Sequence, residues 1–123
     1  MKAFYLVASI SVLALGVSAC GGSGPDCGSY CKDVAAACNL SSLEQLCVGN
    51  CNTDNNAANA AGCSSKMSDV LSCGDSHKSD MCVGTSNVCS AESTALSTCI
   101  TTYCSANPSN SACTAYGSAR QQQ

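Results

Sequence analysis

The sequence predicts a small, all-α, disulfide-rich domain that begins with a stapled helical hairpin. Thirteen cysteines occur in 123 residues. Two pairs of them, Cys27 with Cys31 and Cys47 with Cys51, are spaced by four residues, as on one face of a helix. Large apolar side chains are few, and the chain has no Trp. No stretch after residue 20 alternates branched or aromatic residues with polar ones, the pattern that predicts β-strands.

The first 19 residues have the pattern of an export signal. Lys2 gives a positive start, and residues 3–17 are apolar apart from Ser9, Ser11 and Gly16. A membrane-spanning helix needs about 20 apolar residues, so this stretch is short for a span and suits the core of a signal peptide.

Cys20 follows this segment in the run Val17-Ser18-Ala19-Cys20. The run resembles the lipobox of bacterial lipoproteins, which implies that Cys20 is acylated and becomes the first residue of the mature chain. Setting Cys20 aside leaves 13 − 1 = 12 cysteines, an even number that suits disulfide pairing. Val17-x-Ala19 also fits ordinary signal-peptidase cleavage, which would leave Cys20 as a free thiol or an intermolecular partner in a secreted protein.

Four segments are therefore predicted. Residues 1–19 form the signal peptide, residues 20–25 a flexible Gly-rich tether, residues 26–117 the helical domain, and residues 118–123 a disordered tail. Gly21, rather than Asp, follows Cys20. In the lipoproteins that this region resembles, that choice implies the outer membrane.

The composition limits which cellular compartment and which classes of binding partner are compatible with this chain. Cysteines this dense behind an export signal indicate an oxidising compartment. After residue 19 the charges are four Lys and Arg against eight Asp and Glu, so 4 − 8 = −4. That balance argues against nucleic acid, where Lys and Arg contacts to phosphate dominate binding, and against docking on anionic lipid through a basic patch.

Two helices open the domain. Asp26 can cap the first helix, whose inner face would carry, at helical spacing, Cys27, Cys31, Val34, Ala35 and Cys38. Ser41-x-x-Glu44 and Ser42-x-x-Gln45 are overlapping capping boxes that predict the start of the second helix. Its inner stripe is expected to hold Leu43, Leu46, Cys47 and Cys51.

Cys27-x3-Cys31 and Cys47-x3-Cys51 form the strongest pattern in this region. Antiparallel folding would bring Cys31 against Cys47 near the turn and Cys27 against Cys51 farther from it, so two nested bridges are predicted. The pattern resembles the twin-Cx3C helical hairpin of plant α-hairpinins and of small mitochondrial intermembrane-space chaperones. The likeness covers residues 27–51 and implies the hairpin rather than an activity.

Later elements are less regular. Residues 52–62 are predicted to be a polar linker, either a loop or weakly helical. A third helix is expected from Ser64 or Ser65 to Cys73, with Gly74 as its left-handed stop. Residues 75–85 are expected to be irregular.

A fourth helix of about fifteen residues is predicted to start at a Ser90 cap and to end at Asn107-Pro108. Its apolar stripe would contain Leu96, Cys99, Ile100 and Tyr103, while Cys113 would fix the last segment.

The partners of eight cysteines stay open at this point, because eight cysteines allow 105 pairings. These residues are Cys38, Cys63, Cys73, Cys82, Cys89, Cys99, Cys104 and Cys113.

Metal and catalytic sites are not expected. No Cys-x-x-Cys occurs and His77 is the only histidine, whereas zinc sites usually combine close cysteine pairs with His partners. Asp75-Ser76-His77 has the residue types of a hydrolase triad, but triad members are assembled in space from distant positions. We therefore expect no metal, no cofactor and no enzymatic activity.

Three functions are compatible with these features. The first is a monomeric, non-enzymatic lipoprotein, held on a membrane by N-terminal acyl chains and binding an unidentified protein or envelope partner. It resembles the cysteine-rich lipoproteins of Gram-negative bacteria. The second is a secreted toxin, effector or inhibitor released by ordinary signal peptidase. The third is an envelope chaperone or metal-binding protein.

Overall fold

The computed structural model describes residues 26–82 and 87–122. Within these ranges the chain is all-α, as predicted, with five α-helices and no strand. The helices are α1 (Cys27–Ala37), α2 (Glu44–Ala60), α3 (Ser64–Ser76), α4 (Ser90–Ala106) and α5 (Ser111–Arg120), and 3₁₀ turns lie at Ser41–Leu43 and Asp80–Cys82. The predicted signal peptide, Cys20 and the tether lie outside the described residues.

Helices α1 and α2 form the predicted stapled hairpin. Cys27 is bonded to Cys51 and Cys31 to Cys47, with Cα–Cα distances of 5.6 and 5.7 Å. Asp26 caps α1 as expected, because its carboxylate accepts a 2.9 Å hydrogen bond from the Ser29 N–H. That backbone hydrogen bond holds the pKa of Asp26 below its usual value, since it stabilises the ionised carboxylate.

The start of α2 differs from the capping-box prediction. The serines form a 3₁₀ turn, Ser41–Leu43, and neither this turn nor α2 has a side-chain cap. Backbone bonds take their place: the Leu43 N–H donates to the Leu40 carbonyl at 2.9 Å. The turn out of α1 is tight, with Asn39 at φ +54°.

Residues 52–60 are fully helical rather than a linker, because α2 continues to Ala60. Ala57 and Ala58 have no exposed surface, and α2 packs against α3 and α5. Alanine favours helix intrinsically, and its small side chain lets neighbouring helices approach closely. Tertiary packing therefore outweighs the weak helix preference of the intervening asparagines.

Gly74 does not stop the third helix, which continues to Ser76. Instead it is buried under the ring of Tyr30 from α1, and a Cβ atom at Gly74 would lie 2.5 Å from Tyr30 Cε2. The same Tyr30 hydroxyl donates to Met81 Sδ at 3.3 Å. The glycine is therefore needed for the close approach of α1 and α3, not for a helix end.

The start of α4 also differs. Cys89, not Ser90, occupies the capping position, at φ +64° and with no side-chain cap bond. A non-glycine residue in this left-handed region costs roughly 1–2 kcal/mol. The helix ends at Asn107, as the Asn107-Pro108 pair predicts.

The predicted tail is in part a helix. Helix α5 runs through Arg120 and packs on α2. Arg120 Nη2 donates to Asp54 Oδ2 at 3.3 Å, and its guanidinium lies 5.0 Å from the centre of the Tyr116 ring. The folded domain therefore extends beyond the predicted boundary at residue 117. Residues 118–120 are helical because α5 contacts α2, and the short polar sequence of this segment does not by itself predict those contacts.

Four further bridges join the rest of the domain: Cys38–Cys82, Cys63–Cys99, Cys73–Cys89 and Cys104–Cys113. Half-cystines of the hairpin and of these further bridges also build the core, since Cys31 and Cys63 are each 1% exposed, and Ile100 is 0% exposed. So many disulfides indicate a non-cytoplasmic, oxidising location. In the parts of the chain that the structure describes, no helix is long and apolar enough to cross a membrane.

We predict opposite effects for alanine at two helical glycines. Gly74→Ala should lower the free energy of unfolding by about 1–3 kcal/mol, because its methyl group overlaps the Tyr30 ring. Gly49→Ala in α2 has no atom within 4 Å and should raise it by up to about 1 kcal/mol through helix propensity. Guanidinium unfolding of both oxidised variants tests this, and equal effects would contradict the Tyr30–Gly74 contact.

Candidate functional site

Exposed apolar side chains are concentrated at the loop end of the hairpin. Among the described residues, the large hydrophobic side chains that are exposed are Leu40, Leu43, Leu46 and Met81, at 45, 48, 62 and 37%. Leu40 and Leu43 lie in the turn between α1 and α2, and Leu46 in the first turn of α2. Met81 is adjacent to Cys82, which the bridge to Cys38 holds at the end of α1. Surface hydrophobic residues that cluster in this way, rather than scattering singly, typically mark an interaction site.

Three of these four side chains line a cavity of about 220 Å³, which we call the apolar notch. Its lining consists of Cys31, Val34, Ala35, Cys38, Leu40, Leu43, Cys47, Met81 and Cys82. No charged side chain is among them. Two disulfides, Cys31–Cys47 and Cys38–Cys82, form part of the wall. The apolar notch is therefore both apolar and covalently braced.

The size of the apolar notch limits what it can hold. Sites for small-molecule ligands usually have volumes of about 300–1,000 Å³, which is larger than this one. A cavity of this size instead suits one apolar side chain offered by a partner, as in the anchoring pockets of protein interfaces. The notch thus has the dimensions of a docking point rather than of a substrate pocket.

The sequence pattern predicts Leu43 and Leu46 on the inner face of the second helix, but the structure places both at the surface. The bridge from Cys47 to Cys31 sets the direction in which α2 faces α1. Successive residues of a helix are about 100° apart, so Leu46 is turned aside once Cys47 points inward. One feature of the sequence does indicate this apolar surface: Leu40, Leu43 and Leu46 recur every three residues in a chain that has few large apolar residues.

A second depression lies beside Arg120. Cavities of about 440 and 470 Å³ share Arg120 of α5 and Ser97 of α4 and carry several Ser and Thr side chains. Of the lining hydroxyls, that of Ser105 donates to the Thr101 carbonyl of its own helix at 2.8 Å. None of the exposed large hydrophobic side chains of the described residues lines this depression, so it has a weaker case as a site than the apolar notch.

Asp54 forms one edge of this depression and is partly buried. Burial raises the pKa of the Asp54 carboxyl, because desolvation disfavours its charged form, while the Arg120 guanidinium acts in the opposite direction.

The twelve cysteines expected to form disulfides are all paired within the described residues, whereas Cys20 lies outside them. The two pairs named from spacing, Cys27–Cys51 and Cys31–Cys47, are present, and the eight other cysteines form the four further bridges. One potential metal-ligand group occurs in the described chain: Cys73 Sγ, Cys89 Sγ and a Glu92 carboxylate oxygen lie within 4.8 Å of one another. The two sulfurs are bonded to each other, so in this oxidised state they are not thiolate ligands.

The residues Asp75, Ser76 and His77 do not form a triad. Asp75 Oδ1 accepts a hydrogen bond from Lys78 Nζ at 3.1 Å, and the Ser76 hydroxyl donates to the Ser72 carbonyl at 2.9 Å. His77 Nδ1 lies 3.2 Å from Asp80 Oδ2. The three side chains bond to three separate groups, which is the geometry of a polar surface segment.

We predict a pH dependence of stability that originates at Asp54. A raised pKa in the folded state means that folding favours the protonated carboxyl. The contribution is therefore fully present below the unfolded pKa of about 3.9 and is lost as pH rises through the folded pKa. Asp54→Asn keeps the oxygen that accepts from Arg120 and removes the titration.

The free energy of unfolding of Asp54→Asn should thus increase relative to the parent protein as pH rises above the normal aspartate range. Guanidinium unfolding at a series of pH values measures this difference. Asp33→Asn, at an exposed position on α1, is the control. A difference between Asp54→Asn and the parent that does not change with pH would contradict the prediction.

Comparison of the chain with models of known protein families, with curated proteins and with solved structures finds no match in any of the three. The function is therefore inferred from the geometry of the described residues and from the sequence.

Proposed function

We propose that this chain is a lipid-anchored, non-enzymatic binding module of the cell envelope, and that its protein partner binds at the apolar notch. Cys20 carries the lipid, and the notch receives an apolar side chain of a protein partner. The observation that carries the proposal is that three exposed side chains, Leu40, Leu43 and Met81, line one braced cavity. The only other exposed large hydrophobic side chain in the described residues, Leu46, directly precedes the wall residue Cys47.

The position of the apolar notch supports this function. Helix α1 begins at Cys27, just after the tether, and the notch lies at its other end. At 1.5 Å per residue, the 11 residues of α1 span about 16 Å. Six residues from Cys20 to Pro25 could extend by at most about 20 Å. A chain anchored at Cys20 would thus hold the hairpin close to the membrane by the end that is farthest from the notch.

The rigidity of the apolar notch favours binding of a short protein segment. Holding the walls in one geometry before binding lowers the ordering cost that association otherwise carries. Leu46, which precedes the wall residue Cys47 and is more exposed than Leu40, Leu43 and Met81, adds apolar surface at this end of the hairpin. A partner could therefore insert one anchoring side chain and cover Leu46 with a neighbouring residue.

The other two functions use the same surface differently. A secreted toxin, effector or inhibitor would present the notch without a lipid, and an envelope chaperone would bind apolar segments of many clients. The state of Cys20 separates the first of these from a lipoprotein, and the breadth of peptide binding separates the second from a selective module.

We predict that the mature N-terminus is an acylated Cys20. Intact mass measurement of the protein isolated from membranes should give the mass of residues 20–123 with six disulfides and the added acyl groups. Cys20→Ser should move the protein from the detergent phase to the aqueous phase. Ser18→Ala, which retains the cysteine, is the matched control, and an unmodified Cys20 in the parent protein would refute the lipid anchor.

We predict that the apolar notch binds peptides through one apolar side chain. The probe is a Gly/Ser-rich peptide with a central Phe, compared with the same peptide carrying Ser. The Phe peptide should bind saturably, and Leu43→Asp should weaken it by at least tenfold, because a charge would then be desolvated at the opening. Nuclear magnetic resonance titration of the folded protein measures both.

Thr102→Asp, at an exposed position on α4, introduces the same charge elsewhere and should leave binding unchanged. Both substitutions are at the surface, so the free energy of unfolding should change by no more than about 0.5 kcal/mol. Absence of saturable binding, or equal binding by Leu43→Asp and Thr102→Asp, would contradict the proposed role of the notch.

A further inference from the structure

A cleft between α3 and the start of α4 gathers residues that can bind a metal. Asp69 and Cys73 are four residues apart on one face of α3, and His77 follows as the residue that caps the end of this helix. Cys89 lies just before α4, and Glu92 lies in its first turn. The Sγ atoms of Cys73 and Cys89 and a Glu92 carboxylate oxygen lie within 4.8 Å of one another.

His77 belongs to the same cleft. An open surface cavity of about 450 Å³ is lined by Asp69, Ser72, Cys73, Ser76, His77 and Glu92. The His77 ring is about half exposed, and its Nδ1 lies 3.2 Å from Asp80 Oδ2. A carboxylate at Nδ1 fixes the ring and leaves Nε2 for a metal, an arrangement found around many metal-binding histidines.

We propose that reduction of the Cys73–Cys89 disulfide converts this cleft into a site for a zinc-like divalent cation. The ligands are the thiolates of Cys73 and Cys89, the Glu92 carboxylate and the His77 imidazole. Zinc binds sulfur, nitrogen and oxygen ligands in tetrahedral geometry, at about 2.0–2.3 Å. Ligand atoms of such a site lie between about 3 and 4 Å apart, so the donor atoms of Cys73, Cys89 and Glu92, within 4.8 Å of one another, need only small movement. The His77 imidazole lines the same cavity and reaches the ion by rotation of its side chain.

The two states of the site exclude each other. In the oxidised protein the sulfurs share a bond of 2.02 Å, and each lacks the negative charge that makes a thiolate a ligand. In the reduced protein the sulfurs are free to separate around the ion, while five other bridges hold the remaining helices together. Metal binding is thereby linked to the redox state of one disulfide.

The reductant is a dithiol. One of its thiolates attacks Cys73 Sγ, which borders the open cavity, so the S–S bond breaks and Cys89 leaves as a thiolate. The start of α4 has no side-chain cap bond, and the positive end of the helix dipole favours negative charge at Cys89. The second thiol of the reductant then displaces Cys73 and forms its own disulfide. Two electrons and two protons pass to the protein, and the cation displaces those protons on binding.

Cys89 has a further property that favours opening at this bridge. Its backbone is held at φ +64°, a left-handed conformation that residues other than glycine seldom adopt. Reduction removes the covalent constraint that joins this residue to α3. The inference does not rest on the proposed function, because the cleft and the apolar notch have no residue in common.

The experiment uses the oxidised, full-length protein treated with a limited amount of dithiothreitol under anaerobic conditions. Alkylation and peptide mass mapping should identify Cys73 and Cys89 as the first two free thiols. Titration with Co²⁺ should then give one ion per chain and a thiolate-to-cobalt charge-transfer absorption. The untreated oxidised protein should give neither, and Cys73→Ser combined with Cys89→Ser should abolish the absorption.

Glu92→Gln and His77→Gln should each weaken Co²⁺ binding by at least about tenfold. Glu44→Gln on α2 is the matched control and should leave the affinity unchanged. Neither Glu92 nor His77 is buried, so these variants keep the test valid if the double cysteine variant does not fold. The proposal is overturned if another bridge opens first, if bound Co²⁺ shows no thiolate absorption, or if either Glu92→Gln or His77→Gln binds with unchanged affinity.

Discussion

The bridge between Cys31 and Cys47 is the constraint on which the rest of the structure depends. Cys31 is 1% exposed, so this bond is part of the core as well as a cross-link. It fixes the rotation of α2 about its own axis and therefore turns Leu46 to the surface. It also fixes the rotation of α1, where the neighbouring Tyr30 points at Gly74 of α3. One covalent contact thus sets the interface between the first three helices.

The domain compensates for its small number of large apolar residues by close approach and cross-linking. Ala57, Ala58 and Gly74 let helix backbones come near one another. Disulfides restrict the unfolded chain, typically stabilising a protein by about 2–4 kcal/mol each. Because half-cystines also fill interior space, covalent bonding and apolar burial are carried by the same side chains. The surface can then remain polar almost everywhere, and this makes the apolar notch distinctive.

The two candidate sites differ in the state of their disulfides. At the apolar notch, Cys31–Cys47 and Cys38–Cys82 serve as a wall, and the proposed binding needs them intact. At the cleft between α3 and α4, the Cys73–Cys89 bond occupies the sulfurs that a metal would use, and the proposed binding needs it open. The same residue type thus supports a rigid docking surface at one end of the molecule and a redox-dependent site elsewhere.

The all-α class, the Asp26 cap, the end of α4 at Asn107 and the two nested bridges can be predicted from the residues alone, because each depends on spacing within one helix or between two adjacent helices. The pairing of the other eight cysteines, the exposure of Leu43 and Leu46, the helical state of residues 52–60 and the existence of α5 cannot be predicted in this way. These features depend on contacts between segments far apart in the chain. A local pattern of residues shows that a cysteine or leucine has a preferred face, but not which distant helix that face meets.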